Sequence, residues 1–396
     1  MRSWYAWQEV TVSFCAAVFA AVPGCDVQLG NWSQAKYERT TSRQVARGTS
    51  TTIDVATQSG SIHVTGADVN DCNVVAAIAA YAPTEEEAQE LAEQAELTLE
   101  PVGNTLKVRV RKPTLLPNRS ISASYTITVP RRMNVKCDSD YGRLDVSNIG
   151  GTVNGKTSNG SIEVGDVQGT VNLNTSYGSI TCRRVAGGTT ALRSSNGSIT
   201  VETLKGPAEI ETSYGCITCR EYSDGDLRLK SSNGRITLSG ALFGKCEANT
   251  SYGSVFCNTL KGESIQLHSD TGHVELADAE AAKVGLSTSY GGIKARQITT
   301  SDLTAHSGNG GIEIVCSPST PAALVAKVTD SYGDIHFTAP AGFSGRVDLS
   351  TDYGSIRTAL PITVTGEVNK KKVTGRIGEG TGMLRLETGN GSIELK

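Results

Sequence analysis

Ten cysteines and five histidines are the side chains of this 396-residue chain with the most chemistry to offer. They do not fall into a site. Cys216-Ile217-Thr218-Cys219 has the gap of a zinc or redox pair, but on a strand residues three apart face opposite sides. Cys182, Cys219 and Cys257 each stand four residues after a glycine, where Val, Leu or Ile stand elsewhere, so they read as small buried apolar groups. Cys72, Cys137, Cys246 and Cys316 remain for pairing in an oxidising compartment. His63, His268, His273, His306 and His336 are scattered, without a Ser-His-Asp arrangement, phosphate loop or metal-binding helix. Asp330, Asp334, Asp348 and Asp352 lie near successive turns and form a weak candidate set for Ca²⁺ or for acid–base work on a sugar. Their simpler reading is a solvated acidic edge. No cofactor is expected.

Another set of residues recurs. Thr175-Ser176-Tyr177-Gly178-Ser179-Ile180 is rewritten along the chain, its glycine recurring from Gly142 to Gly310 every eighteen or nineteen residues and then at Gly333, Gly354 and Gly391. The residue before the glycine alternates between Tyr (Tyr141, Tyr177, Tyr214, Tyr252, Tyr290) and Asn or Thr (Asn159, Asn196, Asn233, Thr271, Asn309). Two residues after it an aliphatic always follows, as in Ile162, Ile180 and Ile199, and the positions five and seven before it are apolar, as in Val171 and Leu173. Period-two alternation on both sides of a turn means two short strands, each with one inward face. A further apolar residue seven after the glycine, such as Val167 or Leu204, suggests a third short side. Asn and Gly tolerate positive φ, which suits the turn.

A fixed period of this size marks a solenoid. The expectation is an all-β, single-stranded β-solenoid, right-handed and three-sided, of 18–19-residue coils. One unit per coil is the simpler reading; two units per turn is the alternative that the Tyr/Asn alternation leaves open. No coil can bury its apolar face alone, so stability must come from stacking coil on coil. Tyr177, Tyr214, Tyr252 and Tyr290 are the first candidates for a binding surface, because outward aromatics suit glycan or protein contacts. Stacking in a ladder that stabilises the turns is their simpler role. An outward column of Thr181, Thr200, Thr218 and Thr237 suggests ice binding more weakly, since Glu163, Phe256, Glu275 and Lys294 interrupt it.

Residues 1–25 read as an export signal. Val10 to Val22 is an apolar stretch of signal-peptide length, ending in Val22-Pro23-Gly24-Cys25, which resembles a bacterial lipobox apart from its proline. Cys25 then becomes a lipidated first residue, tethering the chain to a membrane. An ordinary secretory signal with an incidental cysteine is the alternative. Residues 26–45 are polar and read as a tether. Residues 46–130 read as a β-rich N-terminal cap carrying one helix: Thr84 and Glu87 form a capping box, and Ala88, Leu91, Ala92 and Ala95 one apolar stripe. Residues 131–396 carry the repeats. Past Gly310 the units lengthen around Pro318, Pro321, Pro340 and Pro361, and Lys370-Lys371-Lys372 reads as a solvated turn. A net charge of −3 with mixed signs argues against a nucleic-acid partner.

The Gly-Ser-Ile repeat, the Glu-rich cap helix, the Tyr125–Pro130 segment ending in Val-Pro, and the closing Gly389-Asn390-Gly391-Ser392-Ile393 together resemble the bacterial β-strand-repeat, adhesin-like family of envelope proteins, many of them lipoproteins. The resemblance covers nearly the whole mature chain. It implies a solenoid, an envelope location and no enzymatic residues. The expected function is a non-enzymatic adhesive or scaffolding surface, attached to a membrane through its lipid and meeting an envelope protein or a glycan. The alternative is a β-helix polysaccharide lyase or glycosidase using the acids of the C-terminal coils.

Overall fold

The structure, a computed structural model, describes residues 34–396, except for the side chains of residues 366–368. The export signal and Cys25 lie outside the described residues. The described chain is one stack of short strands with a single helix. Val153–Thr157 runs into the Asn159-Gly160 turn and on into Ile162–Val167, and one unit later Val171–Thr175 and Ile180–Val185 repeat the path. The two units pair in parallel and in register, Val153 on Val171 and Ile162 on Ile180. One unit therefore makes one coil, and two units per turn is ruled out. The inward aliphatics of all coils merge into one continuous core.

The coils of Ile236–Thr250 and Val255–Ser269 pair along three segments, 236–239, 241–243 and 245–250 on the first. The corner between the first two segments is a stack of left-handed residues. Asn148, Asp166, Arg184, Thr203, Glu221, Thr259, Asp278 and Gln297 have φ between 50° and 59°, each six residues after a turn glycine. Pairing skips that residue, so it bends the strand while the flanking residues stay in register.

The ends are built differently. At the N-terminal end lie β1 (Ala35–Ala46), β2 (Thr52–Ser59), β3 (Ile62–Ala67), β4 (Asp71–Ala82), α1 (Glu85–Gln94), β5 (Glu96–Val102), β6 (Thr105–Arg111) and β7 (Ser120–Pro130). β2 and β3 form a coil around Gly60 that pairs with the Gly142 coil on one side, Ile53 on Val135 and Ile62 on Leu144. On its other side it pairs with β6 and β7, Ile53 on Leu106 and Ile62 on Tyr125. The first coil of the chain is thus the second of the stack. β4 then joins β7, β1 joins β4 and β5 joins β6, all antiparallel. The helix packs on β1 and β4. Its Thr84 side chain accepts from the Glu87 amide at 3.3 Å, and Ala88 and Ala92 are buried.

Residues 26–45 are therefore not a tether throughout, since residues 35–46 form a strand. Their polarity reflects a sheet edge with one face exposed and the other only half-buried. Arg39 from this strand donates to the Ala92 and Ala95 carbonyls, meeting the orphan acceptors of the helix C-terminus with a positive charge.

The C-terminal end mirrors this arrangement. The Gly333 coil (Val325–Asp330, Ile335–Thr338) pairs outward with the last coil of the chain, that of Gly391 (Gly382–Thr388, Ile393–Leu395). The Gly354 coil (Gly345–Thr351, Ile356–Thr358) lies outside that one. Lys372–Ile377 pairs antiparallel on Gly345–Thr351 and Thr363–Asn369 antiparallel on it, closing the stack. The lysine turn is more than a solvated loop. The Lys370 and Lys371 carbonyls accept from the Ile356 and Thr351 amides, standing in for the coil that would come next.

Candidate binding surface

The turn owes its stacking to a buried hydroxyl. Thr175 Oγ1 accepts from the Gly178 amide at 3.2 Å and donates to the Gly160 carbonyl of the preceding coil at 3.0 Å. Ser194, Thr212, Ser231 and Thr250 repeat the relay. A Cβ on Gly178 would stand 1.8 Å from the Gly160 oxygen, and those on Gly160, Gly197 and Gly234 would stand as close to the coil before, with Gly333 the loosest at 2.7 Å. The turn glycine is thus required by coil-to-coil approach, not by the positive φ expected from the sequence; Gly178 is not among the residues with positive φ. The intervening asparagines tie their amides back, Asn196 Nδ2 to the Ser176 carbonyl at 3.0 Å and Asn233 Nδ2 to that of Ser213 at 3.1 Å.

One residue from the glycine, the tyrosines point away from the core. Tyr141, Tyr177, Tyr214, Tyr252, Tyr290, Tyr332 and Tyr353 are 63–79% exposed and make up half of the fourteen large hydrophobics left exposed among the described residues. Lys371 lies over the Tyr353 ring, 5.5 Å from its centroid. At about 4.8 Å per coil, rings two coils apart stand roughly 10 Å from each other. That exceeds the range of about 4.5–7 Å in which aromatic rings pair, so a tyrosine-on-tyrosine ladder does not account for them.

The order of the column matters more than its members. Along the chain Tyr332 is followed by Tyr353, which breaks the alternation. Along the rod the Gly391 coil stands between those two, so Asn390 separates the tyrosines as in the regular coils. The turn glycines show the same order: a Cβ on Gly391 would meet the Gly333 carbonyl and one on Gly354 that of Gly391, each at 1.9 Å. Tyr332 and Tyr353 belong to the surface for that reason, and the sequence alone did not single them out.

The other candidates disperse. Asp330 is buried beneath its turn in the hydroxyl position, its Oδ1 accepting from the Tyr332 and Gly333 amides at 3.0 and 2.8 Å. Asp334 Oδ1 accepts from the Ser392 amide, and Asp348 Oδ1 from the Thr374 hydroxyl. Asp348 and Asp352 sit in the Gly354 coil, separated from Asp330 and Asp334 by the Gly391 coil. The four thus form no single carboxylate site, and among the described residues no three His, Cys, Asp or Glu side chains are placed to hold a metal ion.

The eight described cysteines are free. Burial pushes the thiols of Cys182, Cys219, Cys257 and Cys316 up to about 12, which keeps them protonated and unreactive. Cys72 is buried against Met133, its Sγ 3.6 Å from the Met133 sulfur. Cys216 is exposed and Cys219 buried, on opposite faces as their spacing predicts. Thr181, Thr200, Thr218 and Thr237 do align laterally, but the row ends against Glu163 and Phe256.

A parallel coil stack with antiparallel strands closing both ends defines a capped β-solenoid. The chain belongs to the Toastrack DUF4097 family, whose model matches residues 86–241 and 217–396. No curated protein matches it. Among solved structures, it is similar to a candidate adhesin from Parabacteroides merdae, at 11% identity over 74% of this chain and 96% of that one, with a TM-score of 0.34. A candidate cell adhesion protein from Clostridium sporogenes matches at 8% identity over 91% and 99%, TM-score 0.23. A candidate lipid-binding protein from Parabacteroides distasonis matches at 11% identity over 91% and 96%, TM-score 0.24.

Proposed function

We propose that this is a non-enzymatic β-solenoid of the bacterial cell envelope, held to a membrane through a lipid on Cys25. Its tyrosine column is the surface by which it adheres to, or assembles with, another envelope component. One observation carries the reading: the Tyr/Asn alternation persists in space where the chain order breaks it, at Tyr332, Asn390 and Tyr353. The fold has no use for that regularity, because the rings are outside the core and too far apart to stack on each other. The dispersal of the acidic residues favours binding over catalysis.

The test is a full-length chain with Tyr177, Tyr214, Tyr252 and Tyr290 all changed to Ser, assayed for melting and for retention on isolated envelopes. It should melt with the parent chain and lose retention. A variant that melts early and still binds would assign the rings to turn stability and overturn the reading. Radiolabelled palmitate should enter the parent chain and not Cys25→Ala; equal labelling of both would remove the anchor.

A further inference from the structure

We infer that the occupant of the tyrosine column is an extended β-1,4-linked polysaccharide lying along the rod, an inference that rests on the function proposed above. The argument is one of period. Rings recur every two coils, roughly 10 Å apart, and hold that phase over roughly 60 Å. An extended β-1,4-linked chain rotates each sugar by half a turn relative to the last. It therefore offers the same face once every two sugars, and that repeat is close to the length of two coils. A peptide strand repeats a face about every 6.6–6.8 Å, and falls out of phase with the column after one ring.

The chemistry of the column suits a sugar chain. Each ring from Tyr141 to Tyr332 is a flat apolar plate for the C–H face of a pyranose, while the Tyr353 ring at the end of the column carries Lys371 over it. Between rings stand Asn159, Asn196, Asn233, Thr271, Asn309 and Asn390, all exposed. An asparagine whose Nδ2 is committed to the preceding coil keeps its Oδ1 for a sugar hydroxyl. The stacked turns hold this array in place before any ligand arrives, which lowers the ordering cost of binding. Asp140, Asp270 and Asp352 stand exposed just upstream of the column and disfavour a polyanion along it, with Lys371 over Tyr353 the local exception.

The experiment measures binding of the full chain to insoluble chitin and cellulose and to chitin oligosaccharides of increasing length. An α-linked glucan and a β-1,3-linked glucan serve as differently shaped controls. Expected are retention on the β-1,4-linked polymers alone, affinity rising with oligosaccharide length, and a loss of about two- to tenfold for each Tyr→Ala change. Phase is tested separately. Deleting residues 216–234 removes one coil and brings Tyr214 and Tyr252 into adjacent coils, whereas deleting residues 216–253 removes two and keeps the alternation. The one-coil deletion should lose most of the affinity and the two-coil deletion little.

If a deletion fails to fold, the exchange Tyr252→Thr with Thr271→Tyr moves one ring out of phase at constant coil number and should weaken binding as Tyr252→Ala does. Phase-shifted chains that bind as well as the parent, equal binding to the control glucans, or a tyrosine-dependent dimer in sedimentation would each overturn the inference. If no β-1,4-linked glycan binds while the four-tyrosine variant still loses envelope retention, the inference fails and the proposed function stands. If that variant keeps retention, both fail.

Discussion

A coil in the middle of the rod, such as that of Gly197, pairs on both sides with its neighbours in sequence, the coils of Gly178 and Gly215. Among the described residues, the Gly354 coil pairs with no strand that precedes it. Its parallel neighbour is the Gly391 coil, made last, and its other side is covered by the antiparallel Lys372–Ile377 strand. The N-terminal end has the same design, with the Gly60 coil held between the Gly142 coil and the later strands β6 and β7. Local stacking is enough to extend the middle. The ends need a segment distant in the chain to lock them, and an antiparallel strand to cover the open row of backbone donors and acceptors.

The largest effect should come from removing a lock. A chain ending at residue 381 loses Leu384, Leu386, Ile393 and Leu395, all fully buried, worth about 2 kcal/mol each. Limited proteolysis should then cut within residues 345–377 while the coils from Gly142 to Gly310 stay intact. Deleting one whole coil from the middle should leave a shorter rod resistant throughout. Equal protection of residues 345–377 in the truncated chain would show that the C-terminal coil is not what holds the end.

The middle was legible in the sequence because period, turn and core face repeat together: Ile162, Ile180 and Ile199 had one place to go. The ends were not, because threading leaves no local trace. Gly389-Asn390-Gly391-Ser392-Ile393 looks like any other unit, and only pairing to both Val325–Asp330 and Gly345–Thr351 shows that it is intercalated. The left-handed corner was hidden for another reason: Arg184, Thr203 and Gln297 are not residues that advertise positive φ. Tyr177, Tyr214, Tyr252 and Tyr290 were found from alternation alone, whereas the membership of Tyr332 and Tyr353 depends on stacking order.

A single methyl group sharpens the comparison further. Gly178→Ala forces a carbon to 1.8 Å from the Gly160 carbonyl oxygen and should cost about 3 kcal/mol or more in urea unfolding. Gly342→Ala, in an exposed turn of the C-terminal region, meets nothing within 4 Å and has no positive φ, so it should be neutral or stabilise by about 0.5 kcal/mol. Thr175→Val falls between. It keeps the shape and leaves the Gly178 amide and the Gly160 carbonyl without their shared hydroxyl, a loss of about 1–3 kcal/mol.

A further small effect lies at the joint where the regular stack meets the C-terminal end. Asp330 occupies the position held by Ser or Thr in the neighbouring coils, and its Oδ2 is buried without a hydrogen-bond partner. Burial raises its carboxyl above the usual carboxylate range, against the opposing pull of the Gly333, Tyr332 and Ser331 amides and of His306. An acid whose folded pKa is raised favours the native state only while protonated. Its penalty is absent below the unfolded value of about 3.9 and grows as pH rises through the folded one. Asp330→Thr restores a hydroxyl and removes the titration, so it should stabilise the chain by about 1 kcal/mol near neutral pH, with the gain shrinking as pH falls toward 3. The difference between the two chains is the quantity to measure, because other carboxylates cancel in it. Asp54 is one of these. Burial alone would raise its pKa, but bonds from Arg109 and Lys136 lower it, so its stabilising contribution is lost as pH falls. A gain from Asp330→Thr that stays constant across the pH range would mean that the carboxyl is ionised at no cost, and that the joint is as well satisfied as the coils on either side of it.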